Sequence, residues 1–205
     1  METTSNMKNP EEKPVLVFAT HNPNKAKEVQ QMLGDAYVIK TLIDIGCHEA
    51  IPETSETLEG NAQIKAMHVV KKYGLDCFAD DTGLEVEHLD GKPGVRTARY
   101  AGEDANADQN MDKLLAELGD TAHRAAQFRT SICLVRGGVV ERVEGICKGL
   151  IADQRGGAEG FGYDPVFIPE GETRTFAEMD SEEKNHISHR GIAVRRMVET
   201  LLASK

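Results

Sequence analysis

Alternating apolar and amphipathic stretches predict a protein that mixes strands and helices. The apolar run Pro14–Thr20 is typical of a buried strand, and an amphipathic stretch follows it directly. In that stretch Asn22 is placed to cap a helix, Pro23 to occupy its first turn, and Gly34 to end it. The same 3.6-residue periodicity predicts further helices over Leu58–Tyr73, Asn106–Leu118 and Ser181–Leu202.

The segments between these helices predict strands and one long hairpin. Cys77–Ala79 and Leu84–Leu89 are predicted as short strands separated by a turn at Asp80–Gly83, and residues 91–94 form a second predicted turn. The β-branched and apolar segments Ala125–Arg136 and Val139–Lys148 flank Gly137-Gly138, a pair typical of a two-residue hairpin turn. The pattern therefore predicts an α/β or α+β protein with a long antiparallel hairpin.

Length and composition fit one globular domain. The chain has 205 residues, of which 40% are hydrophobic and 28% are charged. We expect a polar tail over residues 1–13 and a single domain over residues 14–205. No apolar run approaches the ~20 residues that a membrane span requires, and the start lacks the apolar core of a signal peptide. We therefore expect a cytoplasmic protein with no membrane partner.

The charge narrows the class of ligand. A net charge of −10 argues against a nucleic-acid polymer as partner, because duplex binding depends on many contacts from Lys and Arg to phosphates. It allows a small phosphorylated ligand and leaves carboxylates for a hard metal ion. The cysteines lack the close spacing of zinc or redox motifs, so we interpret all of them as small hydrophobic residues: Cys47, Cys77, Cys133 and Cys147.

The junction Thr20–Lys25, between the first strand and the first helix, is the strongest local indication of a ligand. The N–H groups at a helix start lack partners within the helix, and the helix dipole favours an anion there. Lys25 lies in the first turn, where a cation is mildly unfavourable for the helix itself. The junction is therefore a candidate phosphate site, and the alternative is a surface lysine beside an ordinary cap. No P-loop motif occurs in the chain.

Adjacent carboxylates follow the predicted strand at Cys77–Ala79. Neighbouring side chains on a strand point to opposite sides, so only one of Asp80 and Asp81 can face a given cleft. That one would bind Mg²⁺ and orient a water molecule, while the other would stabilise the turn; an ordinary Asx turn is the alternative. Three acidic residues near the start of the second helix are typical of dipole and solvation effects: Glu53, Glu56 and Glu59.

Two later segments also combine features of a ligand site. In Gly160–Pro165, glycines flank Phe161, which lets the backbone approach a ligand while the ring offers a stacking face; a tight turn around a core Phe is the alternative. Lys184–Gly191 concentrates potential cations in an otherwise acidic chain. This concentration favours a local anion site, although such runs usually form a solvated helix face.

Taken in order, these motifs resemble the inosine triphosphatase family, also called Ham1-like or dITP/XTP pyrophosphatases. The resemblance runs from Val15 to the last helix and rests on FATHNPNK, ETSETLEGNAQIKA, FADDTGLEV with PGVRTARYAG, GFGYDPVF, and EKNHISHRG. It implies an α/β fold of two lobes around a long mixed β-sheet, with an active-site cleft between them, and a homodimer. It also implies Mg²⁺-assisted hydrolysis of nonstandard purine nucleoside triphosphates (ITP, dITP, XTP, dXTP) to the monophosphate and pyrophosphate, which keeps these nucleotides out of DNA and RNA.

The resemblance also implies roles for individual residues. Glu53 and Asp81 match metal-binding carboxylates, Asp81 matches the base that activates water, and Lys65 matches a catalytic lysine directed toward the phosphates. Phe161–Asp164 resembles a segment that cradles the purine, and the Lys184–Arg190 cluster resembles residues that read the base. The full set implied for substrate binding is Thr20, His21, Asn22, Pro23, Asn24, Lys25, Thr82, Phe161, Gly162, Tyr163, Asp164, Lys184, His189 and Arg190.

The chain departs from the family pattern at Gly60, where many relatives have Glu, and at Arg96, where an aromatic residue is common. Glu59 is the candidate to replace the missing carboxylate. Two alternative functions stay open at this stage. One is a Maf-like pyrophosphatase acting on other nucleotides, and the other is a nucleotide-binding or sensing protein without turnover.

Overall fold

The computed structural model describes residue 13 and residues 15–203. The predicted polar tail lies outside the described residues except for Lys13, and so does Pro14 at the start of the first predicted strand. The strands are β1 (Val15–Phe18), β2 (Val38–Lys40), β3 (Cys77–Val86), β4 (Lys92–Gly94), β5 (Ala125–Arg136), β6 (Val139–Ile151) and β7 (Phe167–Pro169). The helices are α1 (Pro23–Leu33), α2 (Leu58–Tyr73), α3 (Ala107–Leu118), α4 (Ser181–Ile187) and α5 (His189–Ala203).

The strands form one mixed sheet in the order β2-β1-β3-β5-β6-β7, with β4 paired to β3 off this path. β1 runs parallel to both β2 and β3, whereas the other neighbours are antiparallel. The long hairpin is confirmed: Gly137 and Gly138 adopt φ values of 55° and 81°, as a two-residue turn with positive φ at both positions requires. Its second strand continues to Ile151, three residues beyond the predicted end.

The prediction of two short strands separated by a turn at residues 80–83 is wrong. β3 is continuous, because β5 pairs with it residue by residue from Cys77↔Val135 to Val86↔Ala126. A long partner strand thus overrides the local turn preference of the Asp-Asp-Thr-Gly sequence. The strand also ends earlier than predicted, since Glu87–Leu89 form a 3-10 turn. Most of the turn predicted at residues 91–94 is instead the short strand β4, which pairs with β3.

The helix boundaries follow the capping signals closely. The Asn22 side chain accepts hydrogen bonds from two backbone N–H groups of α1, and Gly34 closes that helix. The predicted last helix, however, is divided at Ser188, whose extended backbone ends α4 and whose hydroxyl accepts the Gly191 N–H at the start of α5. Within residues 13 and 15–203, no helix combines the length and apolar character that crossing a bilayer requires.

Buried side chains form clusters that define two lobes. In the first lobe, one cluster packs α1 and α5 on the sheet around the stacked rings of Phe18 and Phe78, and another packs α2 on the opposite face. In the second lobe, α3 and the region around β7 pack against the far ends of the strands, with Phe128, Phe167 and Phe176 in contact. The mixed sheet and the two lobes agree with the predicted fold class.

A glycine lets α5 approach the sheet closely. A Cβ atom at Gly145 in β6 would lie 2.0 Å from the His189 carbonyl oxygen and 2.5 Å from the Ala193 nitrogen. At Gly191 a Cβ atom would lie 1.8 Å from the Asn185 carbonyl oxygen, so this glycine permits the tight corner between α4 and α5. Gly145 thus lets the start of α5, which carries His189 and Arg190, lie directly on the sheet.

We therefore predict that Gly145→Ala destabilises the protein by about 1–3 kcal/mol, because the added methyl group overpacks the contact between α5 and β6. Denaturant unfolding monitored by circular dichroism measures this change. Val140→Ala on the same strand is the control, since that side chain is 38% exposed and its truncation should change stability by less than about 0.5 kcal/mol. Equal effects of the two substitutions would contradict the close packing.

Candidate active site

Residues from both lobes line a cavity of about 480 Å³. Most of the residues that sequence analysis assigned to a site are found in its wall: Thr20, His21, Asn22, Lys25, Glu53, Lys65, Asp81, Thr82, Phe161, Gly162, Tyr163, Asp164, Lys184, His189 and Arg190. Pro23 and Asn24 are not part of this wall, and both are exposed at the start of α1. A larger groove of about 680 Å³ along β6 and β7 contains none of the predicted residues.

The start of α1 differs from the simple phosphate cradle that the sequence predicted. The N–H groups of Asn24 and Lys25 are already bound, because both donate to the Asn22 side-chain oxygen at 3.0 and 3.3 Å. The Lys25 ammonium also has a counter-ion within the protein, since it donates to Asp80 at 2.8 Å. A bound phosphate is therefore not needed to explain a cation in the first turn of this helix.

Asp80 is the centre of a buried ion cluster. Its two carboxylate oxygens accept separately from Lys25 and, at 3.3 Å, from the Nε–H of Arg190. Burial opposes ionisation of this carboxyl, but Lys25 and Arg190 together hold its pKa well below the usual range. Asp80 is therefore ionised at neutral pH, and it belongs to a strand instead of the turn that the sequence predicted for it.

The cluster continues through Glu28, a residue that sequence analysis missed. Glu28 accepts from Arg190 and, at 2.7 Å, from Lys184, which also donates to Asp164 at 2.8 Å. Despite its burial, the two cations lower the pKa of Glu28. Glu28 lies three positions after Lys25 on the same helix face. This spacing already indicated a carboxylate close to the candidate phosphate-binding lysine.

Asp164 connects the ion cluster to the aromatic loop. Its carboxylate accepts the Phe161 N–H at 2.7 Å, so the loop at residues 160–164 is fastened to α4 through Lys184. Gly160 is required there, because a Cβ atom would lie 2.1 Å from the Asp164 carboxylate and the residue has φ of 77°. Tyr163 is buried, and its hydroxyl donates to the Thr97 carbonyl at 2.9 Å.

On the other side of β3, Asp81 forms a second cluster around Lys65. The Lys65 ammonium donates to Glu53 at 2.7 Å and to Asp81 at 3.2 Å, and the Asn61 amide donates to the other Asp81 oxygen at 3.2 Å. Arg99 approaches Glu53 at 3.4 Å. Asn61 and Arg99 were not predicted, although Asn61 precedes Lys65 by one helical turn.

The charges around Asp81 give it an unusual basicity. Burial raises the pKa of its carboxyl, and the nearby Glu53 and Asp80 raise it further against the opposing effect of Lys65. The pKa of Lys65 is also raised, because its three acidic neighbours outweigh the effect of burial, so this ammonium remains charged. Asp80 and Asp81 are adjacent in sequence but have pKa values shifted in opposite directions.

Aromatic rings and a neutral histidine form another part of the wall. The His189 ring stacks on Phe128 with centroids 4.5 Å apart, and burial lowers its pKa well below the usual value. Within the described part of the chain, the buried Nδ1 atom of His189 has no hydrogen-bond partner. The Lys184 ammonium lies 4.8 Å from the centroid of the Phe161 ring, close enough for a cation–π interaction.

The two departures from the family pattern have local explanations. A Cβ atom at Gly60 would lie 2.0 Å from the Ser55 hydroxyl, so the Ser55 side chain occupies the space beside this glycine. Glu59 pairs with Arg129 and does not replace a carboxylate next to Asp81. Arg96 pairs with Glu103 and is not part of the cavity wall.

We predict that Asp80→Asn destabilises the protein by about 3–5 kcal/mol at pH 7, because it leaves two buried cations without their shared carboxylate. The folded-state pKa of Asp80 lies below its unfolded value of about 3.9. Its stabilising effect is therefore complete above that pH and is lost as the pH falls toward the folded-state pKa. The difference in the free energy of unfolding between wild type and variant should accordingly become smaller below about pH 4.

Urea unfolding at several pH values measures this difference. Asp35→Asn is the control, because Asp35 pairs with Lys13 at the surface and its side chain is 97% exposed. We expect the control to unfold like the wild type. A stability difference for Asp80→Asn that is independent of pH would contradict an ionised Asp80.

Comparison with known proteins places these features in a family. Residues 16–200 match the Ham1 family. A dITP/XTP pyrophosphatase of Flavobacterium psychrophilum is 56% identical over 184 residues, which cover 90% of this chain and 97% of that protein. A dITP/XTP pyrophosphatase of Porphyromonas gingivalis is 54% identical over 191 residues, covering 93% of this chain and 98% of that protein.

The similarity extends to a solved structure. The Staphylococcus aureus Ham1 protein superimposes with a TM-score of 0.84 at 35% sequence identity, covering 93% of this chain and 100% of that one. The motifs, the two-lobed mixed sheet and these relatives agree with one another. The chain belongs to the Ham1 family.

Proposed function

We propose that this chain hydrolyses nonstandard purine nucleoside triphosphates, such as dITP, ITP and XTP, to the monophosphate and pyrophosphate. Relatives that are 56% and 54% identical bear the name dITP/XTP pyrophosphatase. The observation that carries the proposal is the composition of one cavity wall. It combines a basic carboxylate and two ammonium groups, Asp81, Lys25 and Lys65, with an aromatic and donor-rich set, Phe161, His189 and Arg190.

The reaction that we propose is attack of water on the α-phosphorus. Asp81 accepts the proton of that water, because its carboxylate lies in the cavity wall beside Lys65. Asn61 and Lys65 hold the two oxygens of this carboxylate and so orient it. The new P–O bond forms as the bond from the α-phosphorus to the bridging oxygen breaks, and the β- and γ-phosphates leave together as pyrophosphate.

The cations stabilise the negative charge that this reaction concentrates on the phosphates. Lys65 and Lys25 both line the cavity, and each is held by a carboxylate of β3. Because these ammonium groups are positioned before the substrate arrives, little reorganisation accompanies the reaction.

The carboxylates beside Lys65 also fit a divalent cation. Glu53 and Asp81 supply hard oxygen donors, and both accept from the single Lys65 ammonium, so their oxygens converge on one point. We propose that these two residues hold Mg²⁺. When bound, the ion supplies further charge neutralisation at the phosphate oxygens.

We propose that the base is selected at its 6-position. Hypoxanthine and xanthine carry an acceptor oxygen there, and Arg190 and Lys184 offer N–H donors in the same wall. Adenine would instead place its amino group against these donors. Each mismatched buried polar group costs roughly 1–3 kcal/mol, so two mismatches give discrimination on the order of 100-fold or more. Exclusion of guanine requires a further contact at the 2-position.

We also propose that residues 14–205 act as a single domain and that the protein is a homodimer, as the family resemblance implies. The groups assigned above to catalysis and base selection all belong to one chain.

The first test is a panel of nucleotides with identification of products. We expect ITP, dITP and XTP to yield the monophosphate and pyrophosphate in the presence of Mg²⁺, with ATP hydrolysed on the order of 100-fold more slowly. Direct release of orthophosphate would contradict attack at the α-phosphorus. Preference for dUTP or modified pyrimidines would favour a Maf-like activity, and tight binding without turnover would favour a nucleotide sensor.

The second test is Asp81→Asn. We expect kcat for ITP to fall by about 10²–10⁴, the usual contribution of a general base, while a non-hydrolysable ITP analogue still binds. Asp76→Asn is the matched control, because Asp76 bonds to the Gly137 N–H at the hairpin end of the sheet and is not part of the cavity wall. Near-normal kcat in Asp81→Asn would require a different base.

A further inference from the structure

We propose that Cys47, Glu49 and His68 form a second metal site, suited to a borderline-soft divalent ion such as Zn²⁺. One ligand atom from each residue lies within 4.8 Å of the other two. Cys47 and Glu49 follow the 3-10 turn Ile43–Ile45, whereas His68 belongs to α2. None of the three is part of the nucleotide cavity wall.

The distances approach those of a tetrahedral site. The Cys47 Sγ and His68 Nε2 atoms are 3.9 Å apart, and the same nitrogen is 2.9 Å from the Glu49 Oε1 atom. Ligand atoms bound tetrahedrally to zinc lie roughly 3.3–3.8 Å from one another. The His68 Nε2 atom therefore lies close to both the Cys47 sulfur and the Glu49 oxygen, so one ion could contact all three atoms. Small side-chain shifts would bring the three distances to those of a tetrahedral site.

The donor types separate this site from the carboxylates of the cavity. A thiolate and an imidazole favour zinc over magnesium, whereas Glu53 and Asp81 offer only hard oxygens. Three protein ligands leave a fourth position for water, a common arrangement for zinc. The two sites should therefore bind different metals from a mixture.

Entry of an ion requires displacement of one cation and one proton. Lys72 currently pairs with the Glu49 oxygen, but its side chain is 52% exposed and can turn into solvent. Coordination releases the Cys47 thiol proton to water, and the His68 proton that faces Glu49 moves to Nδ1, so that Nε2 is free to bind the ion. An ion can enter from solvent, because Glu49 and His68 are partly exposed and His68 borders a groove beside α2.

The bound ion would fasten a loop of the nucleotide cavity to α2. The Cys47 carbonyl accepts a hydrogen bond from the His21 ring at 2.9 Å, and the same loop continues to Ile51 and Glu53 in the cavity wall. The helix carries Lys65, which pairs with Glu53. Metal binding should therefore raise the thermal stability of the protein without changing the donors in the cavity.

The test uses the full chain stripped of metal, with Co²⁺ as the spectroscopic probe and excess Mg²⁺ to occupy oxygen-donor sites. We expect one equivalent of Co²⁺ to give a thiolate-to-cobalt charge-transfer band, Zn²⁺ to displace it, and Zn²⁺ to raise Tm. Cys47→Ser should abolish the band. His68→Gln should lower the affinity for Co²⁺ by more than roughly 10–100-fold. A loss of only 10–100-fold is typical when the residue removed merely supports a metal ligand.

Cys147→Ser is the matched control, since Cys147 is also a buried free cysteine but contacts the Lys148 carbonyl instead of a histidine. It should keep the band. Because Cys47 is fully buried and its replacement can impair folding, His68→Gln provides an independent test on a partly exposed side chain. Absence of a thiolate band in the wild type, or an undiminished band in His68→Gln, would overturn the proposal.

Discussion

A buried chain of alternating charges determines the arrangement of the active site. It runs from Lys25 through Asp80, Arg190, Glu28 and Lys184 to Asp164, and so joins α1, β3, α5, α4 and the aromatic loop. Charges withdrawn from water are costly unless each has a partner. Because every member here is paired, moving one element would leave an uncompensated charge on another. This buried ion cluster thus fixes the relative positions of the elements that surround the cavity.

This arrangement separates the tasks of two adjacent carboxylates. The alternation of side chains along β3 sends Asp80 toward the cations of the buried chain and Asp81 toward Lys65, Asn61 and the cavity. Asp80 consequently stays ionised and structural, whereas Asp81 becomes more basic than usual. The separation depends on a continuous strand, since a turn at this point would not impose the alternation.

One face of helix α2 contributes side chains to two chemically distinct clusters. Asn61, Lys65, His68 and Lys72 follow one another at intervals of three or four residues and therefore share a face. The first two contact the carboxylates of the cavity, and the last two contact Glu49 in the neighbouring loop. The loop that joins Cys47 to Glu53 connects the two clusters along the chain.

The sequence by itself determined the local features: the helix caps at Asn22 and Gly34, the glycine hairpin, the order of the family motifs, and most residues of the cavity wall. The caps and the hairpin depend on backbone preferences and short spacings that a single segment contains, whereas the residues of the cavity wall were indicated by the family motifs. Only the tertiary structure decided that residues 80–83 extend a strand, that Glu28 and Asp80 are the counter-ions of the cavity cations, and that Cys47 meets His68. Each of these outcomes depends on pairing between segments far apart in the chain, where a long partner strand or a buried opposite charge outweighs the local preference.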